Sequence, residues 1–354
     1  MLITIGVLAY NEAEKIQATL ESLFSQSVFT EPSDPSRPVR WHVVVVPNGC
    51  TDATAQVAAD ALQAATARLA NVNVSFLVES LDRPGKSNAW NELIHRIAPK
   101  DTDVFVMMDA DIEYGQKDTI ANCIDRLLND PSARVVVDQP LKHLSRKQNL
   151  SLMERLSLQA SNANDTDPPG VSGQFYCARA EVLRQIWMPL DLSVEDGFLA
   201  AMVISDFFRG APNPNLIVRA PNATHYFEGL SNIRALINHE VRLVIGTLLN
   251  CYLCWDTLLF TTPANGKGAG QTIRDLNAGK PNWYLKMMAN QIAARGRWVI
   301  PRDMVFRRFI NWWRLPWSRR ITRTPLSIAA FAFDLIVFYI ANRKMVSGRA
   351  VGYW

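Results

Sequence analysis

The chain has 354 residues, 48% of them hydrophobic, and a formal net charge of +4. A chain of this length and composition can bury a full hydrophobic core, which excludes an intrinsically disordered protein. Its five cysteines are an odd number scattered along the sequence, which excludes a disulfide framework and predicts buried free thiols.

Four apolar segments of strand length alternate with helix-like segments in the first third of the chain. The strand-like segments are LITIGVLA, WHVVVV, VNVSFLV and VFVMM, which are mostly apolar. Strands of this kind, joined through helices, predict an α/β fold with a mostly parallel central sheet and helices on both faces. Ligands of such sheets bind beyond the carboxyl ends of the strands.

Two aspartates follow the fourth strand, where a buried strand gains nothing from carboxylates. Asp109 and Asp111 are two residues apart, so strand geometry would point both side chains the same way. The two charges would repel each other unless a divalent cation, or hydrogen-bond donors of a ligand, took both as partners. The alternative is that Asp109 caps the next turn and Asp111 is solvated, since the D-x-D pattern is short.

Six motifs, each at a strand end or a helix start, occur in an order that resembles the family 2 glycosyltransferases. They are VLAYNEAEKIQATLESL, VVVVPNGCTDAT, RPGKSNAWN, MMDADIEY, GVSGQFYCARAEVL and SVEDGFL. The resemblance runs from about residue 3 to residue 246. It implies a glycosyltransferase A-type fold, a nucleotide-sugar donor, a divalent metal and inversion at the anomeric carbon.

The resemblance also implies a donor site built from the loops that follow the strands. The residues expected to bind the nucleotide-sugar are Ala9, Tyr10, Asn11, Glu12, Asn48, Asp52, Gly85, Lys86, Asp109, Ala110 and Arg242. Asn48 and Asp52 would face a base edge, and Lys86 would suit the ribose or the diphosphate. Many relatives carry an aspartate at the position of Asn48, so both UDP and GDP remain open.

Acidic residues carry the expected chemistry. Asp111 is the expected ligand of Mn²⁺ or Mg²⁺, with Asp109 as a ribose or metal-shell ligand, and the metal would bridge the two phosphates. In SVEDGFL the family pattern assigns the general base to Asp196, with Glu195 beside it. The alternative for this acid pair is an acidic first helical turn, favoured by the helix dipole.

The segment HEVRLVIG, residues 239–246, resembles the Gln-x-x-Arg-Trp element of membrane-associated family members. Only Arg242 is retained, and an arginine there could clamp the diphosphate through bidentate hydrogen bonds. His239 is either a metal ligand or a histidine on a helix surface. The helix-surface expectation also applies to His95 and His225.

The basic charge of the protein lies in its C-terminal part. From Lys267 onward, 16 Lys and Arg face three acidic residues, a local net charge of +13, which leaves −9 for the chain before it. Five tryptophans lie among these arginines: Trp283, Trp298, Trp312, Trp313 and Trp317. Aromatic rings beside cations suit an anionic membrane surface.

The apolar segment 326–341 contains Asp334 and is shorter than the roughly 20 residues that span a bilayer, so an interfacial, re-entrant or core-packed helix is expected. An alternative for the whole C-terminal part is a helical extension with solvated arginines and core tryptophans. Nucleic acid is excluded as a partner, because no binding motif accompanies the arginines and the acidic first part would repel a polyanion.

The sequence thus predicts a catalytic domain over 1–261, a Gly/Pro-rich loop over 262–282 and a basic helical tail over 283–354. The expected protein is a metal-dependent inverting glycosyltransferase that uses a UDP- or GDP-sugar. We expect a lipid-linked or glycan acceptor, and a cytoplasmic enzyme peripheral on the inner face of the membrane. The alternatives are a polyprenyl-phosphate glycosyltransferase and a non-catalytic scaffold that binds sugar nucleotides or membranes.

Overall fold

The structure, a computed structural model, describes residues 1–31, 38–146, 168–229, 232–258, 268–280, 282–313 and 315–349. The chain divides into two compact units. The first comprises Met1–Leu190, Glu195–Gly229 and Thr261–Asp275, and the second comprises Asp191–Val194, Leu230–Phe260 and Leu276–Trp354.

Within the described residues, eight strands of the first unit form one sheet. They are β1 (Leu2–Ala9), β2 (Arg40–Pro47), β3 (Val74–Val78), β4 (Val104–Asp109), β5 (Glu113–Tyr114), β6 (Val135–Lys142), β7 (Phe175–Arg179) and β8 (Ile217–Phe227). Their order across the sheet is β3-β2-β1-β4-β7-β6-β8-β5. The four predicted strands are β1 to β4, and they pair in parallel, as expected for apolar strands joined through helices.

The other half of the sheet is mixed. Strand β7 lies between β4 and β6 and is antiparallel to both, and β5 is antiparallel to β8. Because β7 runs against β4, the start of β7 lies beside the end of β4. The N–H of Asp109 accordingly donates to the carbonyl oxygen of Gln174 at 2.9 Å. The antiparallel strand thus brings a second segment of the chain to the edge where β4 ends.

The helices of the first unit follow the strands in the predicted alternation. They are α1 (Ile16–Phe24), α2 (Ser27–Thr30), α3 (Thr54–Arg68), α4 (Lys86–Glu92, continued by a π-helical turn Leu93–Ile97), α5 (Thr119–Asn129), α6 (Ala180–Leu183) and α7 (Glu195–Ile204). Both faces of β1 are covered: Ile5 and Val7 face the core that α1, α3 and α5 complete, whereas Gly6 faces Leu93. The predicted cover of helices on both faces is therefore confirmed.

The remaining helices belong to the C-terminal part of the chain. They are α8 (Ile233–Asn250, continued by a π-helical segment Cys251–Leu258), α9 (Ala269–Gly279), α10 (Trp283–Arg295), α11 (Arg302–Trp313) and α12 (Trp317–Val346). By length and composition alone, α12 could cross a membrane, and it is the one such helix among the described residues. The helix extends beyond the predicted segment 326–341 at both ends and contains Pro325.

The predicted loop 262–282 is wrong where the structure describes it. Helix α9 occupies Ala269–Gly279, while 262–267 and 281 lie outside the described residues. Gly270 is buried, and a Cβ atom there would lie 2.0 Å from the carbonyl oxygen of Gln185. A glycine in this sequence therefore permits close helix packing rather than a loop. The predicted domain boundary at 261 also differs from the compact units, because Leu230–Phe260 group with the tail.

We expect Gly270→Ala to lower the free energy of unfolding by about 1–3 kcal/mol, because the added methyl group meets backbone that cannot rotate away. Gly279→Ala is the matched control at the exposed end of the same helix, where nothing lies within 4 Å of the added atom. Urea unfolding of the two variants measures the difference. Equal midpoints would contradict the close packing of α9.

Candidate active site at the carboxyl edge of the sheet

The loops after β1 and β2 are tied to each other. Asn11, at a left-handed φ of 54°, accepts a hydrogen bond at Oδ1 from the N–H of Thr51 at 2.8 Å. The N–H of Glu12 donates to Thr54 Oγ1 at 2.8 Å. Both carboxylate oxygens of Asp52 accept hydrogen bonds from this pair of loops, one from Thr54 and one from the N–H of Ala13. Asp52 therefore braces the loops, and its contact with a base remains a prediction.

Asn48 lies under these loops and is 3% exposed. Its Nδ2 donates to the carbonyl oxygen of Ala9 at 2.7 Å, and its Oδ1 accepts from the N–H of Gly85 at 3.0 Å. Both ends of the amide are thus used inside the protein. The geometry gives Asn48 the role of positioning Ala9 and Gly85, instead of the open base edge expected from the sequence.

Lys86 connects the acids of two distant segments. It follows Gly85, whose φ of 128° favours glycine, and it begins α4. Its Nζ lies 2.6 Å from Asp109 Oδ1 and 2.9 Å from Glu195 Oε1, and it donates to the carbonyl oxygen of Gly173 at 2.9 Å. Burial alone would lower the pKa of this ammonium, but Asp109 and Glu195 outweigh it and raise that pKa. The lysine therefore stays charged and holds the end of β4 to the start of α7.

Asp109 and Asp111 face different cations. Strand β4 ends at Asp109, so Asp111 lies in the following turn and the strand periodicity does not reach it. Burial raises the pKa of Asp109 to about 6 against the opposing effect of Lys86. Asp111 Oδ2 lies 4.0 Å from the Nζ of Lys15, and 30% of its side chain is exposed. Asp111 is thus the more exposed of the two aspartates, since 22% of the Asp109 side chain is exposed and Lys86 contacts it directly.

Negative charge is in excess around Asp111. Burial, and then the charge of Asp111, raise the pKa of Glu12 to about 7, with Asp109 and Glu228 adding to the effect and Lys15 opposing it. Lys15 also pairs with Glu228, the two atoms lying 2.9 Å apart. Carboxylate oxygens are the ligands that Mg²⁺ and Mn²⁺ prefer, so this donor set fits a hard divalent cation.

The protein alone does not complete such a coordination shell. Across the described ranges, no three His, Cys, Asp or Glu side chains lie close enough together to hold a metal ion. Mg²⁺ is commonly held by one or two carboxylates together with substrate phosphates and water. The carboxylates present therefore fit an ion that arrives with a diphosphate.

Glu195 and Asp196 open helix α7, as both sequence interpretations of the pair expected. Glu195 is paired with Lys86, whereas Asp196 Oδ1 accepts a hydrogen bond from the N–H of Gly197 at 2.7 Å. Burial, and then the neighbouring charge of Glu195, raise the pKa of Asp196. Asp196 is consequently the better proton acceptor, because its carboxylate is more basic than usual and Lys86 neutralises Glu195 instead.

Gly173 is a site residue that the sequence did not single out. A Cβ atom on it would lie 2.6 Å from Glu195 Oε1 and 3.3 Å from Lys86 Nζ. A side chain there would separate the ion pair. The signal available in the sequence was a glycine two residues before a strand. Lys15 and Glu228 were also missed, since 213 residues separate the two.

Three histidines were expected on helix surfaces, and the structure places them differently. His225 is wrong as a helix-surface residue: it lies in β8, is fully buried, and its Nδ1 lies 2.8 Å from Asp138 Oδ2. His95 lies in the π-helical turn and stacks on Trp187 with ring centroids 3.9 Å apart. His239 lies half-buried in α8, as does Arg242 one turn later, and both belong to the second unit. A contact of Arg242 with a diphosphate stays a prediction.

The raised pKa of Glu12 predicts how stability depends on pH. A carboxyl whose pKa rises on folding stabilises the folded state when protonated. This contribution is complete below pH 4.5, the ordinary pKa of glutamate, and is lost as pH rises through about 7. In chelator, the melting temperature of the protein should fall over this range, and Glu12→Gln should reduce the fall. Asp60→Asn, on the exposed surface of α3, is the control, and an unchanged slope in Glu12→Gln would contradict the prediction.

Comparison with known proteins gives a family and a group of similar structures. The model of a family described as glycosyl transferase family 2 matches residues 4–187. No curated protein matches the chain. Similar solved structures include glucosyl-3-phosphoglycerate synthase from Mycobacterium tuberculosis with Mg²⁺ and UDP, at 18% identity and a TM-score of 0.46, covering 71% of this chain and 79% of that one.

The same enzyme with Mn²⁺, UDP-glucose and phosphoglyceric acid gives 17% identity and a TM-score of 0.47, covering 72% of this chain and 79% of that one.

Proposed function

This chain belongs to glycosyl transferase family 2, and from that premise we propose that it moves a sugar from a UDP- or GDP-sugar to a hydroxyl group of a lipid-linked or glycan acceptor. The glycosyltransferase A-type fold expected from the sequence is confirmed with the family. Family membership also identifies the chain as a glycosyltransferase, which argues against the non-catalytic scaffold.

One observation supports the proposed reaction most strongly. Lys86 joins the acid at the end of β4 to the acid that opens α7, with contacts of 2.6 and 2.9 Å. Lys86 thus holds Asp109, where the diphosphate would bind, close to the start of α7, where the general base would act. A transfer reaction needs both, because the leaving group departs from one side of the sugar and the acceptor attacks from the other.

The acids of the site and Lys86 would have separate roles in the reaction. A divalent cation, Mn²⁺ or Mg²⁺, would be held by Asp111 with Asp109 behind it, and it would supply positive charge for the departing nucleoside diphosphate. Asp196 would remove the proton of the acceptor hydroxyl as that oxygen attacks. Lys86 pairs with Glu195, which leaves Asp196 as the base. Attack opposite the leaving group inverts the anomeric carbon.

A donor screen tests the proposal. The release of nucleoside diphosphate is measured for UDP-, GDP- and dTDP-sugars, with and without Mn²⁺, and membrane lipid extract serves as the acceptor. We expect acceptor-dependent release with one donor class and little release in chelator. Turnover that ignores the cation would overturn the metal-dependent mechanism.

We propose that the enzyme works at the cytoplasmic face of a membrane, and features of its tail support the association with a membrane. Only 22% of the most apolar stretch of α12 is buried, whereas the core helix of a soluble protein is mostly buried. The exposed aromatic side chains nearby include Trp313, Trp317 and Tyr339. Tryptophan and tyrosine settle at the headgroup level of a bilayer. A peripheral enzyme bound through this tail would meet a lipid-linked acceptor there.

A further inference from the structure

Helices α11 and α12 pack against each other around one buried acid. Asp334 lies within the apolar part of α12, and its side chain is only 3% exposed. Arg307 Nε donates to Asp334 Oδ2 at 3.1 Å. Arg308 contacts the same carboxylate twice, through Nε at 2.9 Å and Nη2 at 3.3 Å. The acid in the apolar segment is therefore the shared partner of two arginines.

The charges of this cluster do not balance. Two guanidinium groups share one carboxylate, which leaves one positive charge. Each guanidinium has five N–H donors, and Asp334 takes one from Arg307 and two from Arg308. The side chains of Arg307 and Arg308 remain 40% and 43% exposed, respectively. The unused donors are thus fixed in direction by Asp334 and reachable from outside.

Helices α11 and α12 also expose apolar side chains. Phe306, Ile310, Leu335 and Ile336 all belong to these two helices and are all exposed. Phe331 joins the helices, with its ring 4.7 Å from that of Phe309. A fixed pair of cations on two helices that also expose apolar side chains suits a ligand with an anionic head and a hydrocarbon chain.

We propose that Arg307 and Arg308, held by Asp334, form a binding site for the phosphate monoester headgroup of a membrane lipid. A phosphate monoester has three acceptor oxygens and a charge near −2, which the remaining guanidinium donors match. The lipid chain would lie along the exposed apolar side chains of α11 and α12. This site rests on the proposed membrane association of the tail.

The cluster also determines how the helices meet the membrane. Two arginines and an aspartate are costly at the centre of a bilayer, whereas the headgroup region hydrates them. Helices α11 and α12 therefore lie along the interface, with the arginine pair at the depth of lipid phosphates. Helix α12 does not cross the bilayer in this arrangement, although its length would allow it.

Vesicle flotation of the full-length protein tests the site. Vesicles contain phosphatidylcholine with either phosphatidate, which has a phosphate monoester, or phosphatidylglycerol, a phosphodiester, at matched surface charge. We expect wild type to float with both and to prefer phosphatidate. Arg307→Gln/Arg308→Gln should lose about tenfold in apparent affinity for phosphatidate vesicles and much less for phosphatidylglycerol vesicles.

Arg319→Gln/Arg323→Gln is the matched control, because it removes the same charge from exposed positions of α12. Equal losses for the two double variants on both vesicle types would overturn the site and leave only diffuse attraction. Failure of wild type to float with any acidic vesicle would instead overturn the membrane association itself.

A third variant keeps the test decisive if the glutamine pair does not fold. Arg307→Lys/Arg308→Lys retains both charges but lacks the planar donor fork. We expect it to keep its binding to phosphatidylglycerol vesicles and to lose the preference for phosphatidate. An unchanged preference in this variant would contradict the site.

Discussion

Asp196→Asn is expected to lower kcat by about 10²–10⁴-fold, because the amide cannot take the proton of the acceptor hydroxyl. In wild type, activity should rise with pH through the pKa of Asp196, which burial and Glu195 raise above the ordinary value of an aspartate. The variant should lose this acidic limb of the pH profile while its KM for the donor changes little. Steady-state kinetics across pH measure both effects.

Glu195→Gln is the control for Asp196→Asn. Loss of the ion pair with Lys86 should disturb donor binding and stability more than the proton transfer, so the acidic limb should remain. If Glu195→Gln removes the limb and Asp196→Asn does not, the base has been assigned to the wrong acid. If both variants keep most activity, no hydroxyl proton has to be removed, which is the result expected for the alternative in which the acceptor is a polyprenyl phosphate.

Asp111→Ala is expected to lower kcat/KM by about 10²–10³-fold and to weaken the dependence of activity on Mn²⁺. The physical reason is that, among the described residues, no lysine lies within hydrogen-bond distance of Asp111, the acid in the turn after β4, so it can ligate an incoming cation. Activity measured against Mn²⁺ concentration gives both quantities.

Asp125→Asn, on the exposed side of α5, removes the same charge outside the site and should leave activity unchanged. Full activity of Asp111→Ala, together with indifference to chelator, would contradict a role for the cation.

The parallel half of the fold could be predicted from the sequence because β1, β2 and β4 are mostly apolar and buried, whereas the edge strand β3 contains Ser75 and is only partly buried. A strand buried on both faces leaves that signature, and the polar residues that interrupt it mark the carboxyl edge of the sheet. Asp109 and Asp111 were found in this way. The pairing of β7 could not be found, because strand direction depends on the path of the chain and leaves no local pattern.

The partners of the site acids could not be predicted either, because they come from distant segments of the chain. Lys15 reaches Glu228 across 213 residues, and Lys86 reaches Glu195 from a separate segment. Asn48 was assigned to a base edge because its residue type suits one, whereas its burial under the loops could only be seen in the fold. Helix α9 was missed because glycine is a poor helix former. The close packing that requires a glycine at position 270 is visible only in the fold.

Anomalous diffraction from crystals of the full-length protein grown with UDP, GDP or the preferred donor and Mn²⁺ tests the central claim most directly. We predict one manganese peak beside the Asp111 carboxylate, with the diphosphate oxygens completing its coordination and Lys86 still contacting Glu195. A nucleotide bound at another place, with no manganese peak beside Asp111, would contradict the proposed mechanism.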